Sequence, residues 1–572
     1  MSHFAVAGLT HFGPLMAVLI VVAVLVRGCR HRGELPRHRV LRLHIRLRLR
    51  LRPGRGHGSL AQLHLRWGRG ASYRESKRTR PQLTRLERAR APQLHSAFLG
   101  RAQFRHTVRV TVQEHGALIG PPRSLKSALL SRVAQAAPGA VVITSSKRDM
   151  FAITSGIRQL RGPVRVFNPD GIGGIPSTVR WSPLDGCRVP SVAIRRADAF
   201  AQAASTAGAE DAAFWAGKAS DAIRGYFLAA AQDGGDMRRV AQWAAGHRLQ
   251  DAIELLDGKG LGEWAAQLAE LTGPAEKTAA TIRMVVSRAL SFMNDPVLAA
   301  SVLPGPGEQF DVDEFLLSGG TLYMIARPNG EDSPLAPLFA ALASEIHYRA
   351  TQLASLMKGG RLDPPLTMIL DEVTRICPVP LPAWLADAGG QGVSVWSAFH
   401  GVSQLVARWG APGAQTVLDT SNCKVIYPGL GDSDMLAKLS GLCGEFSAVE
   451  RVRERDSQRP VVRYTEHPVM TPAMIRQLPK GWALVIRDNY APVIIRVATG
   501  WTSREYRRAR RRGALTAALD VPQPLTEAQA AAIAAQLDGV TELRPFLPGG
   551  GREAASGDGR RDPWDQRRGG AA

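Results

Sequence analysis

Between Gly116 and Arg132 the sequence reads GALIGPPRSLKSALLSR. A short apolar run leads into a loop headed by glycine and closed by Lys-Ser, and apolar residues at helical spacing follow. A strand entering such a loop and a helix leaving it aim backbone N–H groups and the positive end of a helix dipole at one point, which suits phosphate. Gly120, Lys126 and Ser127 meet the pattern G-x-x-x-x-G-K-[ST], with Pro121, Pro122, Arg123 and Ser124 between them. Leu125 occupies the position of the second glycine. Glycine there lets the backbone curl without a Cβ in the way. A leucine is expected to bring left-handed strain of about 1–2 kcal/mol and to push its side chain towards the β-phosphate, weakening the site.

The rest of the chain supplies the context such a loop needs. APGAVVITSSKRDM (137–150) reads as a second buried strand ending in small polar residues, followed by a helix, and PVRVFNPDG (163–171) as a third strand. PPLTMILDEVTRI (364–376) is an apolar strand ending in Asp371 and Glu372. A strand that ends in two acids is the Walker B arrangement: Asp371 would hold Mg²⁺ through water, together with Ser127, and Glu372 would polarise an attacking water. GVSVWSAF (392–399) is a further strand, and His400 follows it where RecA-like motors usually carry a polar γ-phosphate sensor, often glutamine.

Charge is unevenly placed. From Arg27 to Arg109 there are 23 Arg or Lys and 3 Glu, a net of +20 out of +24 for the 572 residues. That segment points to a polyanionic partner, and the remainder is only weakly basic. Before it, Phe4 to Val26 is apolar over about the 20 residues needed to cross a bilayer. No Lys or Arg precedes the run and RGCRHR follows it, the reverse of a cleaved signal peptide. The positive-inside rule therefore expects an uncleaved span with the amino terminus outside and the bulk of the chain in the cytoplasm. HIRLRLRLRPG (44–54) alternates Arg and Leu with period two, giving one guanidinium face. Lipid headgroups, nucleic-acid phosphate and solvent all suit that face, and the period does not choose among them.

Five cysteines (Cys29, Cys187, Cys377, Cys423, Cys443) form no CxxC pair, which argues against a zinc site or a disulfide framework and suits a reducing compartment. About 245 residues separate Lys126 from Asp371, and DAAFWAGKASDAIRGYFLAAAQ, DMRRVAQWAAGHR, EWAAQLAELTG and EKTAATIRMVVSRALSFM within them read as amphipathic helices. WTSREYRRARRRG (501–513) is a second basic cluster, TEAQAAAIAAQL (526–537) one more helix, and the Gly/Arg/Asp-rich tail from about Leu547 is too poor in apolar residues to pack.

Together GPPRSLKS, VVITSSKRD, VFNPDG with RWSPLDG, LTMILDEV, FHGVSQLVARWG and LPKGWALVIRDNYAPVI resemble the type IV secretion coupling proteins of bacterial conjugation (TraG/TraD-like), within the FtsK/HerA group of P-loop ATPases. The segments follow the family's order over about residues 105–500. The single anchor followed by an arginine-rich segment is similar to the actinobacterial-type branch. The resemblance implies an α/β fold: a RecA-like P-loop nucleotide-binding domain with an all-α insertion domain, preceded by one N-terminal transmembrane helix. It implies an anchor over 1–28, an Arg-rich cytoplasmic juxtamembrane segment over 29–104, and the P-loop part of the RecA-like domain over 105–190. The all-α insertion would then cover 191–300, the Walker B part 301–515, and a helix and disordered tail 516–572.

The same resemblance implies ATP and Mg²⁺ as cofactors, a homo-hexamer in the cytoplasmic membrane, and substrate DNA, single- or double-stranded, delivered with relaxase and other relaxosome proteins to a type IV secretion channel. Loop residues 120–127 would bind nucleotide, with Lys126, Glu372 and His400 as the catalytic set. Leu125 and His400 depart from the family pattern. Those departures keep open a catalytically weakened membrane docking platform. An FtsK-type DNA translocase is a further reading, against which stand the single span and the lack of a carboxy-terminal winged-helix pattern.

Overall fold

The structure is a computed structural model that describes residues 57–517 apart from 103–104, 205–211, 273–275, 330–331 and 453–460. The expected membrane span, the Arg/Leu alternation of 44–54, the helix expected at 526–537 and the tail beyond it lie outside the described residues.

Eleven strands form one sheet. In chain order they are β1 (Ser96–Arg101), β2 (Thr107–Thr111), β3 (Gly116–Ile119), β4 (Val141–Ser145), β5 (Val164–Phe167), β6 (Thr321–Ile325), β7 (Leu366–Leu370), β8 (Val393–Phe399) and β9 (Cys423–Ile426), then β12 (Trp482–Arg487) and β13 (Val493–Val497). A separate antiparallel hairpin pairs β10 (Glu445–Val452) with β11 (Val461–Pro468). The spatial order is β2-β1-β13-β12-β9-β3-β8-β7-β4-β6-β5. From β9 to β5 all neighbours are parallel, and β12, β13, β1 and β2 extend the sheet by antiparallel pairing. Parallel strands covered on both faces read as unbroken apolar runs. Accordingly VVITS, LTMIL and VSVWSAF are buried throughout. Alternate residues feed two cores: Ala117, Ile119 and Val142 belong to one, and Leu118, Val141 and Ile143 to the other. Gly116 pairs with Trp396 across the β3–β8 ladder, and a Cβ there would lie 2.3 Å from the indole, so this rung admits only glycine.

Helices α1 (Arg69–Thr79) and α2 (Arg85–Arg90) precede the sheet, α3 (Lys126–Ala136) follows β3, and α4 (Asp149–Arg158) follows β4. Among the described residues, the chain between β5 and β6 forms six helices of eight residues or more: Pro190–Ala204, Ala212–Gln232, Met237–Ala244, Leu249–Gly258, Gly262–Thr272 and Glu276–Ala289. Their apolar faces merge with one core of the sheet, where Phe200 meets Phe227 edge-on at 5.6 Å.

The basic segment expected to run to residue 104 as a juxtamembrane stretch is folded over its described part. Leu63 and Trp67 are buried, and the Arg487 guanidinium lies 5.5 Å over the Trp67 ring. Arg487 also donates to Glu114 Oε2 at 2.6 Å and to the Arg66 carbonyl at 3.2 Å. Arg80 pairs with Asp363, Gln113 Nε2 donates to the Thr79 carbonyl at 3.0 Å, and Gly58 N–H to the Pro492 carbonyl at 3.1 Å. The boundary expected at 104/105 falls between β1 and β2, which are hydrogen-bonded partners in the main sheet. Charge alone gave no sign of this packing, because the few large apolar anchors, Leu63 and Trp67, are sparse among arginines.

Candidate functional site

β3, β7 and β8 run side by side or nearly so and end together, so the loops after Ile119, Leu370 and Phe399 converge. Gly120 N–H donates to the Phe399 carbonyl at 3.4 Å, and a Cβ on Gly120 would lie 2.6 Å from Tyr427 Cβ and 3.1 Å from Ser124 Oγ. The first glycine of the loop is therefore required by the Tyr427 side chain, which the sequence did not reveal. Arg123 (φ 61°) and Leu125 (φ 78°, ψ 21°) both take left-handed backbone, so the loop curls although neither is glycine. The strain expected at Leu125 is present. The expected direction of its side chain is corrected: like Phe98 it packs, half-buried, against the core that holds Tyr427, and Tyr427 Oη donates to its carbonyl at 3.4 Å.

Lys126 opens α3 and is buried. Its Nζ donates to the Gly120 carbonyl at 2.6 Å and the Pro121 carbonyl at 3.0 Å, and lies 3.1 Å from His400 Nδ1. Burial pushes the ammonium down to about 8, opposed by the negative charges of Asp371 and Glu372. His400 is held below the usual imidazole range by burial and by Lys126, which suits a neutral ring whose Nδ1 accepts. Its backbone N–H donates to Gln404 Oε1 at 2.8 Å. Ser127 Oγ donates to Asp371 Oδ2 at 2.6 Å, across 244 residues of sequence. Burial raises the Asp371 carboxyl, and the Ser127 hydroxyl and Lys126 charge act against that. Glu372 sits in left-handed backbone (φ 51°, ψ 42°) and accepts from Ser146 Oγ at 3.0 Å. Thr144 Oγ1 donates to the Asp371 carbonyl at 3.0 Å.

The structure thus brings Gly120, Pro121, Lys126, Ser127, Asp371, Glu372 and His400 into one cluster. Pro122 and Arg123 are exposed on the loop rim. Thr144, Ser146, Gln404 and Tyr427 join the site unforeseen as such, although the small polar end of VVITSS was its visible signal. Ser124 Oγ is buried with no hydrogen-bond partner, and the first turn of a helix leaves its N–H groups without intrahelical acceptors. An orphaned hydroxyl, a lysine and a hydroxyl–carboxylate pair at one helix N-terminus match the donor set that a nucleotide phosphate with a divalent cation demands.

Residues 365–480, from β7 past the hairpin, match the family described as the TraM recognition site of TraD and TraG. Among solved structures, the bacterial conjugative coupling protein TrwB in an unbound form superposes with a TM-score of 0.53 at 19% identity, over 75% of this chain and 92% of that one. The fold and the matched segment are those of the conjugative coupling proteins. A TrwB complex with the non-hydrolysable ATP analogue ADPNP gives 0.51 at 20% identity, covering 67% of this chain and 86% of that chain. A complex of TrwB with sulphate gives 0.51 at 21%, over 67% and 84%. No curated protein matches the sequence. The likeness to these coupling proteins covers 67–75% of the chain and is one of fold.

Proposed function

We propose that this chain is a membrane-anchored coupling-protein-type ATPase that recruits DNA, or a relaxase–DNA complex, and helps pass it to a type IV secretion channel, as a homo-hexamer. The carrying observation is the meeting of Lys126, Ser127, Asp371, Glu372 and His400 at the loop after β3. The ADPNP complex of TrwB, of like fold, supports nucleotide as the ligand. The description of the matched family supports a relaxosome protein as partner. On this reading the chain divides into anchor, P-loop part, helical insertion, Walker B part and tail, with the start of the nucleotide-binding lobe drawn back from 105 to Ser96 because β1 pairs with β13.

Bound ATP with Mg²⁺ would supply a phosphoanhydride whose hydrolysis drives movement of the substrate. The backbone N–H groups of residues 123–127 would cradle phosphate, since Pro121 and Pro122 carry none and the Gly120 N–H is bonded to Phe399. Lys126 would place a positive charge there, and Ser127 with Asp371 would offer the oxygen pair for the cation. Glu372, held by Ser146, would orient water, and His400, bonded to Lys126, would sense the terminal phosphate.

A docking platform without ATPase activity is the second reading, and one observation favours it. Gly120 O, Pro121 O and His400 Nδ1 engage all three donors of Lys126, so a phosphate must displace one of them, and the bond to His400 is the longest. Calorimetric titration and phosphate release with Mg²⁺ present separate the readings. We expect ATP binding by the full chain, weakened at least tenfold by Lys126→Ala, a loss of about 1.4 kcal/mol or more, and hydrolysis abolished by Glu372→Gln. Binding without hydrolysis would select the platform. Hydrolysis unaffected by Lys126→Ala would show that the site is elsewhere.

A further inference from the structure

The folded basic segment lies at the end of the sheet opposite the phosphate loop. Glu114 precedes β3, Asp363 precedes β7 and Pro492 precedes β13, and each is tied to this segment through Arg487, Arg80 or Gly58. Parallel strands begin here and end at the loop that holds Lys126. On α1 the buried positions are Ser72, Ser76 and Thr79, one narrow face of small hydroxylated residues. The opposite face exposes Arg74, Lys77 and Arg78, Arg69 is exposed at the start of the helix, and α2 adds Arg85 and Arg90. Arg69 Nη2 reaches the Ala89 carbonyl at 3.5 Å, so the two helices lie against each other. Their two acids are spent locally: Glu75 pairs with Arg78 at 3.2 Å, and Glu87 closes the capping box of Thr84. Two large apolar side chains stand out among the cations, Leu65 at 54% and Leu86 at 57% exposure.

We propose that this collar, residues 60–90, docks flat on the anionic headgroups of the bilayer that holds the amino-terminal span. The inference rests on the anchored reading above. The apolar run ends at Val26 and the described chain begins at residue 57, so only about 30 residues connect the two. That tether keeps the collar within reach of the surface, on the side where the chain enters. A juxtamembrane cluster of Lys and Arg gains attraction to anionic lipid that adds per cation and fades within a Debye length. Leu65 and Leu86 suit shallow insertion between headgroups, which free nucleic-acid phosphate does not reward. The collar therefore serves as a foot that holds the sheet upright, with the phosphate loop facing the cytoplasm.

The test uses the full chain with Cys29→Ser, reconstituted in vesicles, with a fluorophore on Leu86→Cys and acceptor-labelled lipid headgroups; the four described cysteines are buried. Energy transfer is expected to be strong in vesicles rich in phosphatidylglycerol, to fall with added salt, and to be near background in phosphatidylcholine alone. Lys77→Gln, Arg85→Gln and Arg90→Gln together should reduce the docked-to-free ratio by roughly a hundredfold. None of the three is bound to the sheet, so the fold survives. Equal transfer in both lipids, or no transfer in either, overturns the proposal. Displacement of the label from anionic vesicles by stoichiometric duplex DNA overturns it in favour of a nucleic-acid face. Resistance to alkaline extraction is measured on the same vesicles. Release of the chain there refutes the anchor, while the lipid dependence of transfer still judges the collar.

Discussion

Leu125 combines a strained backbone with a useful side chain, and the two effects oppose each other. Left-handed geometry at φ 78° costs a residue with Cβ about 1–2 kcal/mol. The half-buried isobutyl group returns a similar amount, about 1–1.5 kcal/mol for half of a full leucine burial. Glycine would relieve the strain but lose the contact and raise the entropy of the unfolded chain. Leu125→Gly is therefore expected to leave stability within about 1 kcal/mol of the parent, measured by chemical denaturation. Leu125→Val, β-branched in the same backbone, should lose roughly 2 kcal/mol. Since the side chain points into the core, ATP affinity should change only a few-fold in Leu125→Gly; a tenfold gain would mean that leucine does obstruct phosphate. The sequence showed which residue was unusual but not where its side chain goes, because that depends on Tyr427, 302 residues away. His115, buried, and His347, half-buried, contribute to the pH response. His115 Nδ1 accepts from Val395 N–H at 3.1 Å, and His347 stacks on Trp384 at 4.2 Å; burial pushes both down to about 4. Their folded values lie below the unfolded one, so protonation favours the unfolded chain. Stability is full above about pH 6.5 and falls towards pH 4, by on the order of 3 kcal/mol per histidine. Denaturation midpoints across that range should drop, and His347→Phe should flatten part of the slope; a slope unchanged by it would remove His347 from the account.

At the scale of elements, periodicity located the parallel strands well because each is buried on both faces and bounded by loops. LTMIL and GVSVWSAF fall within a residue of β7 and β8, and the amphipathic segments after residue 211 fall on helices. Pattern alone left β1 outside the nucleotide-binding lobe, since its partner β13 lies about 400 residues on and register across such a distance has no local signal. The collar was likewise hidden, because its helices are fastened by backbone carbonyls and by single side chains rather than by an apolar stripe. Trp67 is the chief of these, filling the space between Arg487 and Tyr490, whose ring it meets edge-on at 5.9 Å. Removing a fully buried tryptophan costs about 3–5 kcal/mol. In Trp67→Ala that loss should be local, so amides of 60–90 exchange hydrogen well before global unfolding while ATP affinity stays at the parent value. Exchange protection unchanged in the collar would mean that the Arg80–Asp363 pair and the Gly58 contact hold it without the indole.

For the whole molecule, strand polarity and charge asymmetry act along one axis. The collar closes the end where β3, β7 and β8 start, and the nucleotide loop lies beyond their far ends, about 15 Å or more away for strands of four to seven residues. An amino terminus outside and a cytoplasmic collar would therefore point the loop away from the bilayer, where nucleotide and substrate meet it without crossing lipid. Which residues meet at the loop was legible in sequence because they sit at strand ends; the distance of the loop from the collar was not, because it follows from how the sheet is ordered. The four described cysteines are all buried, so a cysteine placed on the exposed loop at Arg123, with Cys29 replaced by serine, reports orientation alone. A membrane-impermeant maleimide should fail to label Arg123→Cys from outside intact cells and label it fully in inside-out vesicles. In the vesicles a bulky polyethylene-glycol maleimide should react as fast before detergent extraction as after it, because no bilayer lies against that end of the sheet. Labelling from outside intact cells would reverse the orientation that the arginine asymmetry implies. A rate that rises sharply on extraction would place the nucleotide loop, not the collar, against the membrane.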